Sequence, residues 1–558
     1  MKRRSRTHSA IYFGALLSLA SLGLAYMGSA PRWPGGAPVL AQAPGPAEVR
    51  RPRRSDTSPR LLDIPRPAVS LGPGRQVKPV RLNPNRTVSL GLQQDGALQS
   101  TPGKAHSGKV GKTVDGIGKG FSGPQGSFVI ASAPPDTSGA VGETQFFQWV
   151  NTAFAIFDKK TGAVVFGPVP GNTLWQGLGG NTPTPCEINN DGDPIVQYDK
   201  AARRWVVSQF SVSGGTFSQC IAVSTTPDAM GSYFRYEFQQ PAFNDYPKMG
   251  VWPDAYYVSY NMFEGLSGAR ACAYDRSRML VGDPNAAEQC FQLSPSFFGL
   301  MPSDLDGATP PPAGSPNYFI GIGIAPNSLD LWRFHVDWNN PANTTFGTGA
   351  NHLPDARISA ARFNNACNGT GETCVPQAGT PQQLDSLGER LMFRLAYRNL
   401  GAQEVLLVNH SVDTGPPTSR TGVRWYEIRN PRTTPTVFQQ GTFAPDTNHR
   451  WMGSIAMDKK GDIVVGYNVA GSVNPGIRIT SRFPTDTLGR LGKETVLQNG
   501  TGSQGTSTDA LSRWGDYSGL SIDPVDDCTF WYTTEYMKEN GTFNWRTKIA
   551  SFKLKRCK

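Results

Sequence analysis

The feature that most constrains the fold is a unit of short alternating segments that recurs about every 45–65 residues from Asp136 to the end of the chain. Its clearest copy is Arg513–Tyr536, which reads RWGDYSGLSIDPVDDCTFWYTTEY. In that copy an alternating apolar run, a polar turn at Asp523–Asp527 and a Trp-, Tyr- and Thr-rich run indicate two strands joined by a hairpin. Repeated small antiparallel sheets are typical of a β-propeller, so the pattern predicts an all-β fold.

Similar units can be laid out over residues 121–558, beginning at or near Asp136, Asp193, Asp245, Ser303, Asp385, Arg450 and Arg513. Each supplies three or four strands in meander order. Stacking the units around an axis buries their faces and shortens their free edges, which predicts a seven-bladed propeller. The last unit shows three clear strands, so we expect Gly126–Ser132 to pair with it as the fourth strand and close the ring. An array of immunoglobulin-like sandwiches is the alternative, but its strands would not return to an Asp-led start at this interval.

The first residues have the order of a secretory signal: basic residues from Lys2 to Arg6, an apolar run over 11–25, and then small residues. We expect a signal peptide over 1–30, with residue 43 as the later alternative for cleavage. The alternative is an uncleaved anchor, but the apolar run is shorter than the roughly 20 residues of a spanning helix. An exported protein, extracellular or periplasmic and without a membrane span after cleavage, is therefore expected. Residues 31–120 are rich in Pro, Arg, Gly and Ser, which predicts a disordered tail: a spacer, a propeptide or a basic arm.

The formal net charge of +11 is concentrated at the amino end of the chain. Residues 1–125 contain 19 of the 54 Lys and Arg and 5 of the 43 Asp and Glu, which leaves 35 basic and 38 acidic residues downstream. A basic face for nucleic acid is thus absent from the globular part, and we expect no nucleic-acid partner.

The eight cysteines all lie downstream of the signal. An even number in an exported chain predicts disulfides, although the sequence does not determine which residues pair. Pairing neighbours along the chain gives Cys186–Cys220, Cys272–Cys290, Cys367–Cys374 and Cys528–Cys557. A zinc site is the alternative, but the chain has no CxxC pair and only six His.

A ring of carboxylates is expected at one end of the central channel, because the start of each innermost propeller strand points there. The residues at that place are Asp136, Asp193, Asp245, Asp385 and Asp516, with Asp304 or Asp306 in the fourth unit and Met452 or Gly453 in the sixth. Two crowded carboxylates with separated pKa values could act as the acid and base of a glycosidase. The candidates for catalysis are Asp193, Asp245, Asp385 and Asp516. The alternative is that each Asp caps its own turn.

Cations and aromatic residues accompany the carboxylates. Lys248, Arg450 and Arg513 could hold an anionic ligand or neutralise the ring. Trp451 and Trp514 directly follow Arg at the entry to an innermost strand, so both are candidates for stacking on a sugar. Other tryptophans, Trp205, Trp425 and Trp531, lie inside strand patterns and are expected to pack between sheets.

One acidic loop could hold a structural calcium ion, and no other cofactor is indicated. Asn189, Asn190, Asp191 and Asp193 offer oxygen ligands, with Asp191 and Asp193 as the candidate metal residues. An ordinary Asx turn is the alternative. We find no GxSxG, P-loop or dinucleotide motif, and we expect His410 to be a packed or hydrogen-bonded side chain.

Several motifs carry a resemblance to a known family: PPDTSGAVG (134–142), INNDGDPIVQYDKAARRW (188–205), FNDYPKMGVWPDAYY (243–257), LDSLGERLMFRLAYRN (384–399) and HRWMGSIAMDKKGDI (449–463), together with the Arg513–Tyr536 stretch. Over about 120–558 the chain resembles a family of mostly uncharacterised secreted bacterial β-propeller proteins. The resemblance implies the fold and export but no activity. The Asp-led strands are more loosely similar to sialidase-like propellers, although no unit matches the S-x-D-x-G-x-x-W turn of sialidases.

Three functions fit these patterns. The first is a monomeric surface or interaction module that binds an extracellular glycan or protein through the channel face. The second is an extracellular, sialidase-like glycoside hydrolase that uses paired channel carboxylates. The third is a scaffold in which the carboxylates stabilise turns. Loss of turnover in an Asp→Asn variant would separate the second from the first, and loss of thermal stability alone would indicate the third.

Overall fold

The computed structural model describes residues 45–67, 75–78, 81–82, 93–505 and 510–558, and the expected signal peptide lies outside them. Strands dominate, as predicted. The helices are single turns: α-helices Pro185–Ile188 and Arg276–Met279, and 3₁₀ helices Leu61–Asp63, Gly171–Trp175, Ser213–Gly215 and Pro341–Asn343. None of the helices in the described ranges is both long and apolar enough to cross a bilayer.

Most strands form consecutive antiparallel meanders. The meanders are numbered in chain order, and the strands of each meander are given from the innermost one outward. Meander 1 contains Ser138–Val141, Gln145–Val150, Ala153–Asp158 and Val164–Pro170. Meander 2 contains Gly192–Asp199, Arg204–Ser211, Ser218–Ser224 and Tyr233–Gln239. Meander 3 contains Phe243–Val251, Tyr256–Phe263, Gly268–Tyr274 and Glu288–Gln292. Meander 4 contains Met301–Asp306, Asn317–Ile322 and Ser328–His335, with Thr345–Phe346 and Ala356–Ser359 both paired to the third strand.

The second half of the chain continues in the same way. Meander 5 contains Met392–Asn399, Glu404–Asp413, Thr421–Arg429 and Thr436–Phe443, with Asn364–Asn365 paired to the second strand. Meander 6 contains His449–Met457, Ile463–Ala470, Gly476–Arg482 and Thr495–Gln498. Meander 7 contains Gly519–Ile522, Thr529–Met537 and Trp545–Leu554. Three two-stranded pairs lie outside the meanders: Ser122–Gly123 with Gly126–Ser127, Thr373–Gln377 with Thr380–Asp385, and Gln76–Val77 in parallel with Ser132–Ala133.

Successive meanders contact one another through their innermost strands. The innermost strand of each meander contacts that of the next, and the innermost strand of meander 7 contacts that of meander 1. The innermost strands of meanders 4 and 5 also pair directly, in parallel, with Ser303 opposite Leu395. This arrangement of small antiparallel sheets is that of a β-propeller.

Apolar side chains fill the space between neighbouring meanders. Phe147 of meander 1 packs 5.8 Å, centroid to centroid, from Trp205 of meander 2, and Phe146 lies 5.6 Å from Trp531 of meander 7. Trp425 lies in the cluster between meanders 5 and 6. The packing role predicted for Trp205, Trp425 and Trp531 is therefore confirmed.

The prediction of a disordered tail over 31–120 is wrong for the residues that the structure describes. Four of its segments are strands that extend the outer edge of a meander: Glu48–Arg50 on meander 3, Arg54–Thr57 on meander 2, Leu98–Gln99 on meander 5 and Gly108–Asp115 on meander 7. The composition argument failed because these strands need no core of their own, since they satisfy the backbone groups of an existing sheet edge.

The fourth strand of meander 7 is also not the expected one. Gly108–Asp115 pairs with Trp545–Leu554, whereas Gly126–Ser127 pairs with Ser122–Gly123. The strand that was missing from the sequence pattern thus comes from a Gly- and Lys-rich segment with few apolar residues.

The four disulfides join the pairs expected from neighbouring positions: Cys186–Cys220, Cys272–Cys290, Cys367–Cys374 and Cys528–Cys557. Cys272 and Cys290 face each other on adjacent strands of meander 3. Disulfides of this number fit an oxidising compartment.

Candidate functional site

A residue with left-handed backbone conformation lies at or near the start of most innermost strands. These residues are Asp136, Asp193, Tyr246, Leu387, Met452 and Asp516, with φ between 46° and 59°. Few residues other than glycine adopt this conformation, and Asp tolerates it better than most because its short side chain can bond locally. The recurrence indicates that these strands are entered through the same kind of turn.

The positions of this turn change the predicted starting residues of two of the repeated units. The Asp-led start is right for Asp136, Asp193 and Asp516, but Tyr246 takes the place assigned to Asp245 and Leu387 takes that of Asp385.

Asp304 and Asp306 lie away from these turns. Both sit near the end of the innermost strand of meander 4, where the Arg394 Nε donates a 2.7 Å hydrogen bond to Asp304 and another guanidinium nitrogen lies 2.7 Å from Asp306. Although burial opposes it, Arg394 lowers the pKa of Asp306 to about 2. These two carboxylates are partners of a buried arginine and are not part of the expected ring.

Four of these turn residues, Asp193, Tyr246, Leu387 and Asp516, line a cavity of about 210 Å³, which we call the mouth. Its charged lining residues are Lys78, Arg81, Asp191, Asp193, Asp245, Arg390, Arg513 and Asp516, and its aromatic ones are Phe210, Phe243 and Tyr246. Of the four candidate catalytic residues, Asp193, Asp245 and Asp516 line it directly. Asp385 lies behind it, with a carboxylate oxygen 3.6 Å from Arg513.

Lys78 reaches the mouth from the amino-terminal part of the chain. The short strand Gln76–Val77 pairs with Ser132–Ala133 and delivers the Lys78 Nζ to 3.1 Å from Asp193 and 3.6 Å from Asp136. Burial opposes protonation of Lys78, but Asp193 and Asp136 raise its pKa. Lys78 is therefore an ammonium ion that lies between the carboxyl groups of Asp193 and Asp136.

Asp136 is the least satisfied carboxylate of the group. It is fully buried, and neither of its oxygens has a hydrogen-bond partner. Burial and the charge of Asp516 raise its pKa well above the ordinary range, while Lys78 opposes the rise. A buried carboxyl group without a hydrogen bond is costly, so its place beside a cavity indicates a role beyond folding.

Arg513 also lines the mouth and connects several of its groups. It makes a two-pronged ion pair with Asp516, at 2.5 and 2.8 Å, and its Nε donates a 2.7 Å bond to the Lys78 carbonyl. Burial opposes ionisation of Asp516, but Arg513 holds its pKa below the ordinary value. Burial and Asp193 instead raise the pKa of Asp245 to about 7.

Lys248 is completely buried beneath the mouth between two tyrosine rings. Its Nζ lies 3.4 Å from the ring centroid of Tyr246 and 3.9 Å from that of Tyr517, and it donates to the Pro247 carbonyl at 2.9 Å. Burial lowers the pKa of Lys248 to about 7. It supports the aromatic wall and does not line the cavity.

Besides Lys248, three further predicted ligand residues do not reach the mouth. Arg450 is buried in a network with Asp446 and Glu494. Trp451 and Trp514 are fully buried, 5.7 Å apart, in an apolar cluster. Both rings are enclosed by this cluster and do not line the mouth.

The two candidate calcium ligands have separate tasks. Asp191 accepts bonds from the backbone of Val212 and Ser213 and from the Ser213 hydroxyl, at 2.6–2.9 Å, which is turn capping. Asp193 pairs with Lys78. In the described ranges the one tight group of metal-ligating side chain types is Cys272, Glu288 and Cys290, and its two sulfurs form a disulfide.

The sequence reasoning missed Lys78, Arg81 and Arg390. Arg390 donates to the Arg81 carbonyl at 2.8 Å and lies 4.5 Å from the Tyr246 ring. The sequence did contain a pattern that includes Lys78 and Arg81: the cations Arg75, Lys78 and Arg81 are spaced three residues apart.

A second cavity of about 400 Å³ is lined mainly by apolar side chains, including Val251, Trp252, Leu305 and Ile522. Ion pairs such as Asp199 with Arg276 stand on its wall. It shares no lining residue with the mouth.

Comparisons with known proteins give no family. No protein-family model matches the chain, and no curated protein matches it in sequence. Among solved structures, the chain is similar to the polysaccharide lyase Uly1 (10% identity, TM-score 0.36, covering 83% of this chain and 100% of that one). It is also similar to Drosophila Semaphorin 1a, extracellular domains 1–2 (10%, 0.31, 76% and 86%) and to the exo-β-1,3-galactanase of Phanerochaete chrysosporium (10%, 0.28, 79% and 96%). At these TM-scores the likenesses define no activity.

Proposed function

We propose that the protein is a secreted, seven-bladed β-propeller that binds an extracellular glycan or protein through the mouth. The seven meanders would be the blades, and Gly108–Asp115 would close the ring by completing the last one. Contact between the innermost strands of meanders 7 and 1 supports the closure. The four disulfides support export.

The observation that carries the binding function is the buried carboxyl group of Asp136 beside an open cavity, because its oxygens have no hydrogen-bond partner although the Lys78 ammonium lies 3.6 Å away. A scaffold would have little reason to retain such a group, since an amide or an apolar residue would cost less. Around it, Arg390 and Arg513 present planar donors suited to carboxylate, hydroxyl or carbonyl groups. Flat rings at Phe210 and Phe243 add apolar contact area.

A glycoside hydrolase is the second candidate, and one observation favours it. The carboxyl of Asp245 has a pKa of about 7, whereas that of Asp516 is held below its ordinary value. Two mouth carboxyls with separated pKa values are what general acid and base catalysis requires.

The test is binding of the full-length chain to arrays of glycans and extracellular peptides, followed by assay of reducing ends released from each bound glycan. Asp193→Asn should weaken binding at least tenfold. Asp330→Asn is the matched control, because Asp330 is equally buried but pairs with Arg357 in meander 4. Its binding should be unchanged.

The outcomes separate the candidates. Binding without release supports the interaction module. Release that disappears in both Asp245→Asn and Asp516→Asn indicates the hydrolase. Absence of binding, with Asp193→Asn and Asp330→Asn alike in losing thermal stability only, leaves the scaffold.

A further inference from the structure

The chain itself places a basic segment in the mouth. Residues 75–81 read RQVKPVR, with a cation at every third position. The structure describes residues 75–78 and 81 of this segment, and we call these residues the strap.

Each cation of the strap contacts an aromatic ring or an acidic group of the propeller. Arg75 lies 5.4 Å from the ring centroid of Phe543, and Arg81 lies 4.2 Å from that of Phe243. Lys78 lies between Asp193 and Asp136 and 5.1 Å from the Phe210 ring. Cation–π and ion-pair contacts therefore recognise the side chains of the strap.

The propeller also holds the backbone of the strap. Arg513 donates to the Lys78 carbonyl at 2.7 Å, and Arg390 donates to the Arg81 carbonyl at 2.8 Å. The strand Gln76–Val77 adds parallel pairing with Ser132–Ala133. Strand addition is the chemistry of peptide recognition and does not serve a sugar ring, and capture of backbone carbonyls accompanies it here.

The strap leaves part of the binding capacity of the mouth unused. Both oxygens of Asp136 lack a hydrogen bond, although the Lys78 ammonium is 3.6 Å away. The cavity of about 210 Å³ remains open, with Asp193, Asp245 and Asp516 on its wall.

We infer that the mouth is a binding site for an extended, lysine-bearing peptide of another protein, and that the strap occupies this site within the chain until such a peptide replaces it. The inference rests on the proposed binding function and names its ligand class. Because the strap competes as a tethered ligand, its removal raises the apparent affinity for the free peptide.

The first experiment measures binding of a fluorescent synthetic peptide with the sequence of residues 73–83 to the full-length chain. Lys78→Ala with Arg81→Ala should bind the peptide at least tenfold more tightly than the unchanged chain. Adding Asp193→Asn, or replacing the peptide lysine by norleucine, should reverse the gain. Lys109→Ala is the control, because Lys109 is exposed on the outer strand Gly108–Asp115.

The second experiment avoids reliance on the double variant. Lys78→Ala alone leaves the place of an ammonium group empty between Asp193 and Asp136, so butylammonium should raise its melting temperature. Butanol should not, and the unchanged chain and Lys109→Ala should not respond to either compound.

Peptide binding with lysine dependence supports the inference, as does butylammonium rescue. Glycan binding to the chain without peptide binding or rescue overturns the peptide inference and leaves the proposed binding function standing. Failure of peptide, rescue and arrays together overturns both.

Discussion

At the scale of single residues, the channel end depends on positions where backbone strain and charge burial coincide. Asp136, Asp193 and Asp516 combine a left-handed backbone with a buried carboxyl group. Turn capping alone would explain the conformation but not the burial of charge beside a cavity. The same residues thus fix the strand entry and set the electrostatics of the mouth.

Gly192 is the residue that allows Lys78 to approach. It has φ of 101°, and a Cβ there would lie 1.9 Å from the Asn151 Oδ1 and 2.8 Å from the Lys78 Nζ. We expect Gly192→Ala to lower the free energy of unfolding by about 2–4 kcal/mol, through strain plus steric overlap. Urea unfolding measures this. Gly177→Ala is the control, since Gly177 also has positive φ (86°) but open space around it; an equal loss in both would contradict the overlap.

The ion pair between Arg513 and Asp516 offers a comparison of buried and exposed pairs with the same geometry. Arg513→Gln should destabilise the protein by about 3–5 kcal/mol, because it leaves Asp516 buried and unpaired. Arg203 makes a similar two-pronged pair with Glu143, at 2.5 and 2.6 Å, but its side chain is 61% exposed. Arg203→Gln should therefore cost about 0–1 kcal/mol. Chemical denaturation measures the free energy of unfolding of both variants. Similar losses of stability in the two would contradict the argument that burial makes the loss of Arg513 more costly.

At the scale of secondary-structure elements, period-two patterning predicted the strands well. It marked the runs around Trp205, Trp425 and Trp531, because packing between sheets demands apolar residues on alternate positions. It could not mark Gly108–Asp115, whose strand rests on backbone pairing, nor could it show that Trp451 and Trp514 are buried. The carboxylates at the mouth were largely predictable, whereas Lys78 was not, since its contact with Asp193 spans distant parts of the chain.

His410 on the strand Glu404–Asp413 gives a prediction in pH. Burial, and then the charge of Arg424, lowers its pKa to about 3. The folded form therefore keeps this histidine neutral where the unfolded chain, with a pKa near 6.5, becomes protonated, so stability is lost as the pH falls from about 6.5 toward 3. His410→Gln should lower the proton uptake on unfolding in this window by about one.

The measurement is the unfolding free energy between pH 4 and 7. Tyr426→Phe is the control, because it removes the 3.0 Å hydrogen bond to His410 but keeps the titrating ring. The free energy of unfolding of Tyr426→Phe should change with pH as steeply as that of the unchanged chain. A His410→Gln variant with an unchanged slope would assign the acid sensitivity to another group.

At the scale of the whole molecule, covalent bridges of different span stabilise the chain unequally. Cys528–Cys557 closes 29 residues next to the last strand, and Cys367–Cys374 closes 7. Loop-closure entropy predicts that replacing the first pair by serines costs about 3.5 kcal/mol and the second about 2.5 kcal/mol. Thermal unfolding of the two double variants measures the difference in stability. A larger loss of stability without Cys367–Cys374 would contradict the entropic account.

The outer-edge strands impose an order on biosynthesis. Arg54–Thr57 needs Tyr233–Gln239, Glu48–Arg50 needs Glu288–Gln292, and Gly108–Asp115 needs Trp545–Leu554. A ribosome releases the amino-terminal member of each pair first, and pairings so distant in sequence form slowly. Each of these amino-terminal strands thus stays unpaired until its partner has been synthesised, and Gly108–Asp115 has to wait for the final strand, so the growing protein exposes open sheet edges to other nascent chains.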